Sequence, residues 1–257
     1  MIEKLFDLSG RVALITGGSK GLGKAIARGY AEAGADVAIS ARHEDDLKQA
    51  TDEIRDGLNV RCAYRIADMT VRSAVDSLAE WAVDAFGKVD ILVNNAGSNV
   101  PETLLEMTDE SLDRILELNL SSGVRLARDL AKPMVERGWG RIIHMSSIMG
   151  ITSNPGRGVY SATKAALIGL TRAHALELGP YGVTVNCIAP GPIMTDLPMS
   201  LLSDEQKQSF AERTAVKRWG DPIDLVGPAM MLAGESGRNV TGEVIVVDGG
   251  VVCRTFD

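Results

Sequence analysis

The residues with the clearest chemical potential are a tyrosine and a lysine four positions apart, Tyr160 and Lys164. On a helix, this spacing places both side chains on one face. A tyrosine with an ordinary pKa of about 10 is a poor acid or base near neutrality. A cation one turn away favours the phenolate, so we expect Lys164 to lower the pKa of Tyr160 and make it a proton donor and acceptor at physiological pH. Ser147 precedes the tyrosine and offers a hydroxyl that could hold a substrate oxygen in front of the phenol.

The elements that position these residues follow a regular alternation of short apolar runs and longer helical patterns. The predicted strands are Val12–Thr16, Val37–Ser40, Val60–Ile66, Ile91–Val93, Arg141–Met145, Val183–Ile188 and Val244–Val247. The predicted helices cover residues 22–33, 44–56, 71–86, 109–137, 159–178 and 222–233. Almost continuously apolar strands are typical of a parallel sheet that is covered on both faces. The sequence therefore predicts an α/β fold, a single-domain, Rossmann-like, doubly wound seven-stranded parallel sheet flanked by helices on both faces.

The 257 residues are expected to form one domain, 1–257, because no Pro/Gly/Ser-rich linker or long charge run divides them. Two segments, 97–108 and 190–217, interrupt the alternation. Loops of this length in a compact domain are usually functional. Both leave from carboxyl ends of predicted strands, where ligands bind in open α/β sheets. The second segment is the expected substrate loop or lid.

Composition excludes several classes of function. The chain has 27 basic and 34 acidic residues and a net charge of -7, which argues against non-specific nucleic-acid binding. No apolar stretch reaches membrane-spanning length, and the N-terminus lacks the apolar run of a signal peptide. The three cysteines are far apart and show no metal-ligand spacing. We expect a cytoplasmic protein without a metal, a nucleic-acid partner or a membrane partner.

A glycine-rich segment, TGGSKGLG at residues 16–23, joins the first predicted strand to the first long helix. Glycines allow a tight turn and let backbone N–H groups approach a pyrophosphate at a helix N-terminus. The spacing is G-x-x-x-G-x-G rather than the usual dinucleotide spacing G-x-G-x-x-G, so an ordinary glycine-rich turn is the alternative. Its place after the first strand of a βαβ pattern favours phosphate binding.

The second predicted strand ends in Ser40-Ala41-Arg42. Folds that bind NAD normally carry an acidic residue here to hold the ribose 2′-hydroxyl. A 2′-phosphate needs cations instead, and Arg42 supplies one, while Lys20 in the glycine turn supplies another. We therefore predict that NADP(H) is preferred over NAD(H). The alternative is that Arg42 simply faces solvent.

Taken together, these residues resemble the short-chain dehydrogenase/reductase family, over essentially the whole chain from Arg11 to Gly250. The motifs occur in the family's order and near its spacings: Thr16-Gly17-x3-Gly21-x-Gly23, Asn94-Asn95-Ala96-Gly97, Asn119, Ser147, Tyr160-x3-Lys164 and Pro190-Gly191. Each motif is weak by itself, but six in register are specific.

The resemblance implies a catalytic set of Asn119, Ser147, Tyr160 and Lys164. Tyr160 would be the proton donor or acceptor, and Lys164 would lower its pKa and hold the nicotinamide ribose. Ser147 would orient the substrate oxygen. Asn119 would hold a water that links Lys164 to solvent; the alternative is a polar residue that only faces solvent, since Asn is disfavoured inside helices.

The resemblance also implies a cofactor site in which Asn94 braces the strand ends and Asp68 contacts the adenine. The loop after Pro190 would reach the nicotinamide carboxamide. The expected cofactor-binding residues are Gly17, Ser19, Lys20, Gly21, Leu22, Gly23, Arg42, Asp68, Asn95, Ala96, Gly97, Tyr160, Lys164, Pro190, Gly191, Ile193 and Thr195. The implied reaction interconverts a carbonyl and a secondary alcohol by hydride transfer, with the cofactor supplying the redox chemistry.

The substrate remains open between branches of the family. The candidate pocket residues mix polar and apolar character, and are Ser98, Asn99, Met149, Asn154, Arg157, Met194, Leu197 and Met199. Their polar members favour a sugar, polyol or aldonate, as in dehydrogenases of gluconate or glucose. The alternative is a 3-oxoacyl-[acyl-carrier-protein] reductase, but Gly138 and Leu176 stand where that branch has arginines, with Arg137 adjacent. A remote alternative is an NADP-binding sensor without turnover.

The resemblance also implies an assembly of identical subunits. Members of the family usually form homotetramers, or homodimers, through the long helices and the last helix and strand, here about 109–137, 159–178, 222–233 and 244–247. Apart from other copies of the chain, the expected partner is a small-molecule carbonyl or alcohol.

Overall fold

The structure is a computed structural model that describes residues 1–195 and 202–253. The strands are β1 (Val12–Thr16), β2 (Asp36–Ala41), β3 (Cys62–Ile66), β4 (Ile91–Asn94), β5 (Gly140–Met145), β6 (Val183–Pro190) and β7 (Val244–Val247). They form a seven-stranded sheet in the order β3-β2-β1-β4-β5-β6-β7, and every neighbouring pair is parallel. The predicted fold class is confirmed, and the strand bounds differ from the prediction by at most two residues.

The helices that connect these strands lie close to the predicted segments. They are α1 (Ile2–Phe6), α2 (Gly21–Glu32), α3 (Glu44–Arg55), α4 (Arg72–Phe86), α5 (Asp109–Leu116), α6 (Ser122–Arg137), α7 (Gly158–Leu178), α8 (Asp204–Arg213) and α9 (Val226–Ala233). Short 3₁₀ turns cover Ile148–Gly150, Gly179–Tyr181, Pro222–Leu225, Glu235–Gly237 and Val251–Cys253. The predicted helix 222–233 is thus a 3₁₀ turn followed by α9.

Both faces of the sheet are buried, because alternate residues of a strand point to opposite sides. Ile15 and Ile39 pack with α2, α3 and α9 on one face. Leu14 and Leu92 pack with α4 and α6 on the other. This two-sided burial is the physical reason that the strands have nearly continuous apolar sequences.

The segment 190–217 differs from the prediction of a long loop, because it contains α8. Ser203 begins this helix with a capping box: its hydroxyl accepts from Gln206 N at 3.2 Å, and its own N–H donates to Gln206 Oε1 at 2.9 Å. The helix is polar, so no apolar periodicity indicates it in the sequence. The Ser-x-x-Gln spacing was the available signal.

The predicted helix 109–137 is also divided. A π-helical turn, Glu117–Ser121, separates α5 from α6. Such a turn inserts one extra residue into a helix and is frequent at functional sites. Asn119 lies in it and is buried, with 4 % of its surface exposed.

The strand order reverses between β1 and β4, which places a crevice beyond their carboxyl ends. The glycine turn after β1, the Asn94–Gly97 segment after β4, Ser147 after β5 and Gly191 after β6 all lie at this edge of the sheet. Across the described residues, 1–195 and 202–253, none of the helices has both the length and the apolar character needed to cross a bilayer.

Candidate active site

The glycine turn after β1 has a geometry that only glycine fits at several positions. Gly17 and Gly21 have φ values of 65° and 53°, in the left-handed region. A Cβ on Gly23 would lie 2.3 Å from the Gly17 carbonyl oxygen, which shows how closely α2 packs against the turn. The first turn of α2 carries no acidic residue. The positive end of α2 therefore suits a pyrophosphate, and phosphate binding at this turn stays a prediction.

The segment after β4 is tied directly to this turn. The backbone N–H groups of Asn95 and Ala96 both donate to Thr16 Oγ1 at 3.0 Å. The Asn95 side chain donates to the carbonyl oxygens of Thr16 and Gly17 at 2.9 and 3.1 Å. Thr16 was known from the sequence only as part of the glycine motif. Its hydroxyl joins two strand ends across the crevice.

Asn94 braces the neighbouring elements. Its Nδ2 donates to the Gly123 carbonyl oxygen at 3.0 Å and lies 3.1 Å from His144 Nδ1. Because the amide donates, His144 Nδ1 accepts and the ring carries its proton on Nε2. Burial lowers the pKa of His144 to about 3, with smaller effects from His174 and Lys164, so the imidazole is neutral. Asn94 thereby links β4, β5 and α6.

Tyr160 and Lys164 lie one turn apart on α7, and Ser147 precedes the 3₁₀ turn after β5. Burial raises the pKa of Tyr160, while the Ser147 hydroxyl and the charge of Arg157 lower it by less. Burial also lowers the pKa of Lys164 to about 8. The Ser147 hydroxyl accepts a hydrogen bond from Met149 N at 3.1 Å, which fixes its place beside the phenol.

The expected effect of Lys164 on the pKa of Tyr160 is not what the structure shows. Lys164 Nζ lies 5.6 Å from the centroid of the Tyr160 ring and donates to the Met145 carbonyl oxygen at 2.7 Å. Desolvation dominates instead, and the net shift of the Tyr160 pKa is upward. The i, i+4 spacing indicates a nearby charge, but it does not indicate how deeply the phenol is buried.

Asn119 is buried and fully engaged, so the alternative of a solvent-facing residue is wrong. Its Oδ1 accepts from Ser98 N at 2.9 Å, and its Nδ2 donates to Ser98 O at 2.8 Å and to Thr163 Oγ1 at 3.3 Å. The side chain thus clamps the loop after β4 to α7. Thr163 was not singled out from the sequence; its position between the tyrosine and the lysine was the available signal.

A small cavity of about 10 Å³ lies among these groups. Its lining includes Asn94, Asn119, Ser122 and Lys164. The volume is close to the roughly 10–15 Å³ that one water molecule needs. The Oδ1 atom of Asn94 is buried without a partner among the described residues, so the cavity is polar as well as large enough for a water.

The basic residues predicted to recognise a 2′-phosphate flank the glycine turn. Arg42 follows β2 and is exposed. In this structure it faces solvent, which was the alternative to phosphate recognition. Lys20 Nζ lies 2.8 Å from Asp46 Oδ2, an acidic partner on α3 that the sequence did not reveal. For Asp68, burial opposes ionisation, but hydrogen bonds from Thr70 and the charges of Arg42 and Arg114 outweigh it and lower the pKa.

The loop after β6 turns back towards the glycine turn. Gly191 N donates to Val247 O at 2.9 Å, and a Cβ on Gly191 would lie 2.6 Å from Asp248 Cα. Ile193 is buried and pairs with Gly220. A Cβ on Gly21 would lie 3.1 Å from Thr195 Cγ2, so Thr195 sits directly against the turn.

The predicted substrate residues lie on three segments around this edge of the sheet. Ser98 and Asn99 follow the Asn94–Gly97 segment, and Met149, Asn154 and Arg157 lie between β5 and α7. Glu102 N donates to the Gly156 carbonyl oxygen at 3.2 Å, which joins the first two segments. Met194, on the third, is 41 % exposed. The predicted residues Leu197 and Met199 lie outside the described residues.

Comparison with known proteins agrees with this geometry. The family model described as Enoyl-(Acyl carrier protein) reductase matches residues 17–252. An uncharacterized oxidoreductase of Mycobacterium tuberculosis is 39 % identical over 259 residues, covering 100 % of this chain and 98 % of the relative. The chain belongs to the short-chain dehydrogenase/reductase family. It is therefore an oxidoreductase acting on CH–OH groups, from a family that binds a nicotinamide cofactor.

Two further relatives within this family have more specific descriptions. The 3-oxoacyl-[acyl-carrier-protein] reductase of Vibrio cholerae is 38 % identical over 250 residues, which are 95 % of this chain and 98 % of that protein. A crystal structure from Beutenbergia cavernae, described as an NAD(P)-dependent gluconate 5-dehydrogenase with NADP bound at low occupancy, is 37 % identical and has a TM-score of 0.92. That alignment covers 97 % of this chain and all (100 %) of the other.

Proposed function

We propose that the protein is an NADP-dependent oxidoreductase that interconverts a carbonyl and a secondary alcohol on a sugar, polyol or aldonate. The observation that carries the reaction type is the placement of Tyr160 with Ser147 and Lys164 at the carboxyl edge of the sheet, beside the glycine turn. The nicotinamide cofactor, when bound, supplies or accepts the hydride. The residues that would hold it are those predicted from the sequence, from Gly17 to Thr195.

Tyr160 exchanges the proton with the substrate oxygen. Its raised pKa keeps the phenol protonated at neutral pH, which suits donation to the oxygen as a carbonyl is reduced. The Ser147 hydroxyl, adjacent to the phenol, orients the same oxygen. Lys164 has three N–H donors, and one is directed to the Met145 carbonyl oxygen. The others remain for the cofactor ribose and for a water.

Asn119 positions the groups through which Tyr160 regains its proton. Its side chain fixes Ser98 and Thr163, and it lines the 10 Å³ cavity that Lys164 also lines. We expect one water in this cavity to accept from Lys164 and to donate to Asn94 Oδ1, because that buried oxygen has no donor among the described residues. Asn119 is thus a positioning residue for the water that connects the lysine to solvent.

The preference for NADP rests on the two cations beside the glycine turn. Arg42, directly after β2, stands where an NAD-binding protein carries an acid, and Lys20 in the glycine turn provides a second positive charge. The gluconate 5-dehydrogenase relative holds NADP, which supports this assignment by family likeness.

The sugar-type substrate is favoured by the polar side chains around Tyr160. Arg157 is close enough that its charge lowers the pKa of the phenol, and it offers a donor fork to a carboxylate or hydroxyl groups. The acyl-carrier-protein alternative needs exposed arginines for an acidic partner. Arg137, the residue that might replace them, donates to the Val89 carbonyl oxygen at 2.7 Å and lies 3.8 Å from Asp90. Although the residue is exposed, its guanidinium is thus engaged by groups of this chain, which weakens that alternative.

We also propose that the whole chain is one domain, 1–257, with 190–217 as its substrate loop, and that it assembles into homotetramers or homodimers. Leu176 on α7 and Val246 on β7 are 81 % and 38 % exposed, and both lie on elements expected at the interfaces. Light scattering at micromolar concentration tests the assembly, and a monomer would contradict it.

The substrate assignment is tested by a panel screen. Purified protein is incubated with gluconate, glucose, ribitol or an acetoacetyl thioester and the appropriate cofactor form, and the absorbance of the reduced nicotinamide is followed. Turnover of gluconate or another polyol at least tenfold more efficient than that of the thioester supports the proposal. The reverse order supports the acyl-carrier-protein alternative.

A further inference from the structure

The Lys20–Asp46 ion pair places a competing anion at the proposed 2′-phosphate site. We propose that Asp46 weakens the selectivity of this protein for NADP over NAD by occupying the Lys20 ammonium. This inference rests on the proposed function, in which Lys20 and Arg42 recognise the phosphate. It identifies Asp46, in the first turn of α3, as a specificity-determining residue.

The pair is the end of a row of ion pairs and hydrogen bonds between α2 and α3. One turn farther along α2, Lys24 Nζ lies 2.7 Å from Glu53 Oε2. Arg28 then donates to carbonyl oxygens at the end of α3, including Asp56 O at 2.8 Å. The contacts of Lys24 and Arg28 lie progressively farther along α2 from the glycine turn. Only Lys20 stands at the turn itself, immediately before Gly21, where the cofactor phosphates are expected.

Asp46 is the acidic residue in the first turn of α3 that pairs with Lys20. The first turn of α3 contains Glu44, Asp45 and Asp46. The Glu44 carboxylate lies 3.1 Å from Lys48 Nζ and accepts from the Tyr64 hydroxyl at 3.2 Å, so these groups are its partners, and Lys20 is not. Asp45 is exposed, whereas Asp46 is only 29 % exposed and points at the ammonium.

A 2′-phosphate carries up to two negative charges and must share Lys20 with this carboxylate or displace it. Asp46 also repels the phosphate directly, so both effects reduce the advantage of NADP. The 2′-hydroxyl of NAD is uncharged and leaves the ion pair intact. Because the lysine is 57 % exposed, solvent screens the pair, and its influence is modest. We expect a two- to fivefold effect, about that of an exposed ion pair.

The experiment measures binding without turnover. Isothermal titration calorimetry gives Kd for adenosine 2′,5′-bisphosphate and for 5′-AMP, and their ratio reports selectivity for the 2′-phosphate. In Asp46→Asn, the preference for the bisphosphate should rise about two- to fivefold. Asp45→Asn, which removes a neighbouring charge of the same sign, should change it less than twofold. In a Lys20→Met background, Asp46→Asn should lose most of its effect.

Three results would overturn the proposal. A lower preference in Asp46→Asn would mean that the carboxylate holds Lys20 in place for the phosphate. An unchanged preference would mean that the pair only joins α2 to α3. An effect that persists undiminished without Lys20 would mean that Asp46 acts by direct repulsion alone. Failure of the proposed NADP preference is distinguishable, because the wild-type protein would then bind both probes equally and Arg42→Ala would change neither.

Discussion

Lys164 and Tyr160 share one face of α7, but the lysine ammonium lies 5.6 Å from the centroid of the phenol ring and donates to the Met145 carbonyl oxygen. Burial moves the two pKa values in opposite directions, up for Tyr160 and down to about 8 for Lys164. The folded protein thus sets a protonated phenol beside an ammonium that releases its proton unusually easily. That combination fits a proton donor resupplied through the lysine.

Replacing Tyr160 by phenylalanine removes the proposed proton donor and little else. We expect kcat to fall by about 10²–10⁴-fold, the usual contribution of a positioned acid or base. Dissociation constants for NADPH should change less than threefold, because the ring remains. Tyr181→Phe is the matched control, since that tyrosine is 54 % exposed on the surface. Full turnover by Tyr160→Phe would refute the mechanism.

The buried lysine gives the stability of the protein a specific pH dependence. The pKa of Lys164 falls from 10.5 to about 8 on folding. Between these values the unfolded chain binds more protons at this residue, so the free energy of unfolding rises with pH across that window. Below pH 8 the residue therefore destabilises the fold, by an amount on the order of 3 kcal/mol.

Lys164→Met should remove this dependence. The difference in free energy of unfolding, variant minus wild type, should be most positive at pH 7 and should decrease by a few kcal/mol towards pH 10.5. Denaturant unfolding at several pH values measures it. Lys132→Met, at an exposed position of α6, is the control and should show a flat difference. A flat difference for Lys164→Met as well would show that the lysine titrates normally.

The sheet was predictable from sequence because its strands are buried on both faces. Leu14 and Ile15 are adjacent and fully buried in opposite cores, so β1 is apolar from Val12 to Ile15. The motif residues were predictable because glycine geometry and strand ends are local features. Gly21, for example, has a positive φ, a conformation that glycine adopts more readily than any other residue.

What escaped prediction depends on contacts between distant residues or on burial. The Lys20–Asp46 pair joins two helices, and no spacing in the sequence indicates it. The π-helical turn at Asn119 contains no Pro or Gly that would indicate a break, so the sequence predicts a continuous helix there. The upward pKa shift of Tyr160 arises from desolvation, which a pattern of charges does not contain.

Asn119 should matter for both stability and turnover. Asn119→Ala removes three hydrogen bonds and leaves the Ser98 N–H and carbonyl without these partners. The cost is expected to be about 1–3 kcal/mol in the free energy of unfolding. If the residue also positions the relay water, kcat should fall at least tenfold and the pH–rate profile should shift.

Asn239→Ala, at an exposed position, is the control for that substitution and should change neither quantity. A destabilised Asn119→Ala protein with normal kcat and an unchanged pH profile would assign the residue a structural role only.

Gly23 should tolerate no side chain. A Cβ there meets the Gly17 carbonyl oxygen at 2.3 Å, so Gly23→Ala forces α2 away from the turn. We expect a loss of about 1–3 kcal/mol in the free energy of unfolding, typical of overpacking, and a large rise in Kd for both NADPH and NADH. Gly227→Ala in α9 is the matched control, because a Cβ there meets nothing within 4 Å. Equal behaviour of the two variants would contradict close packing at the turn.

Arg42 should discriminate between the two cofactors. Its guanidinium pairs with a phosphate in a bidentate manner but gains little from a hydroxyl. Arg42→Ala should therefore lower kcat/KM with NADPH at least tenfold and leave kcat/KM with NADH within about twofold, on whichever substrate the panel identifies. Arg238→Ala, at another exposed arginine, controls for the loss of net charge. If the wild-type protein uses both cofactors equally, or if both arginine variants lose the same activity, recognition of the 2′-phosphate by Arg42 is wrong.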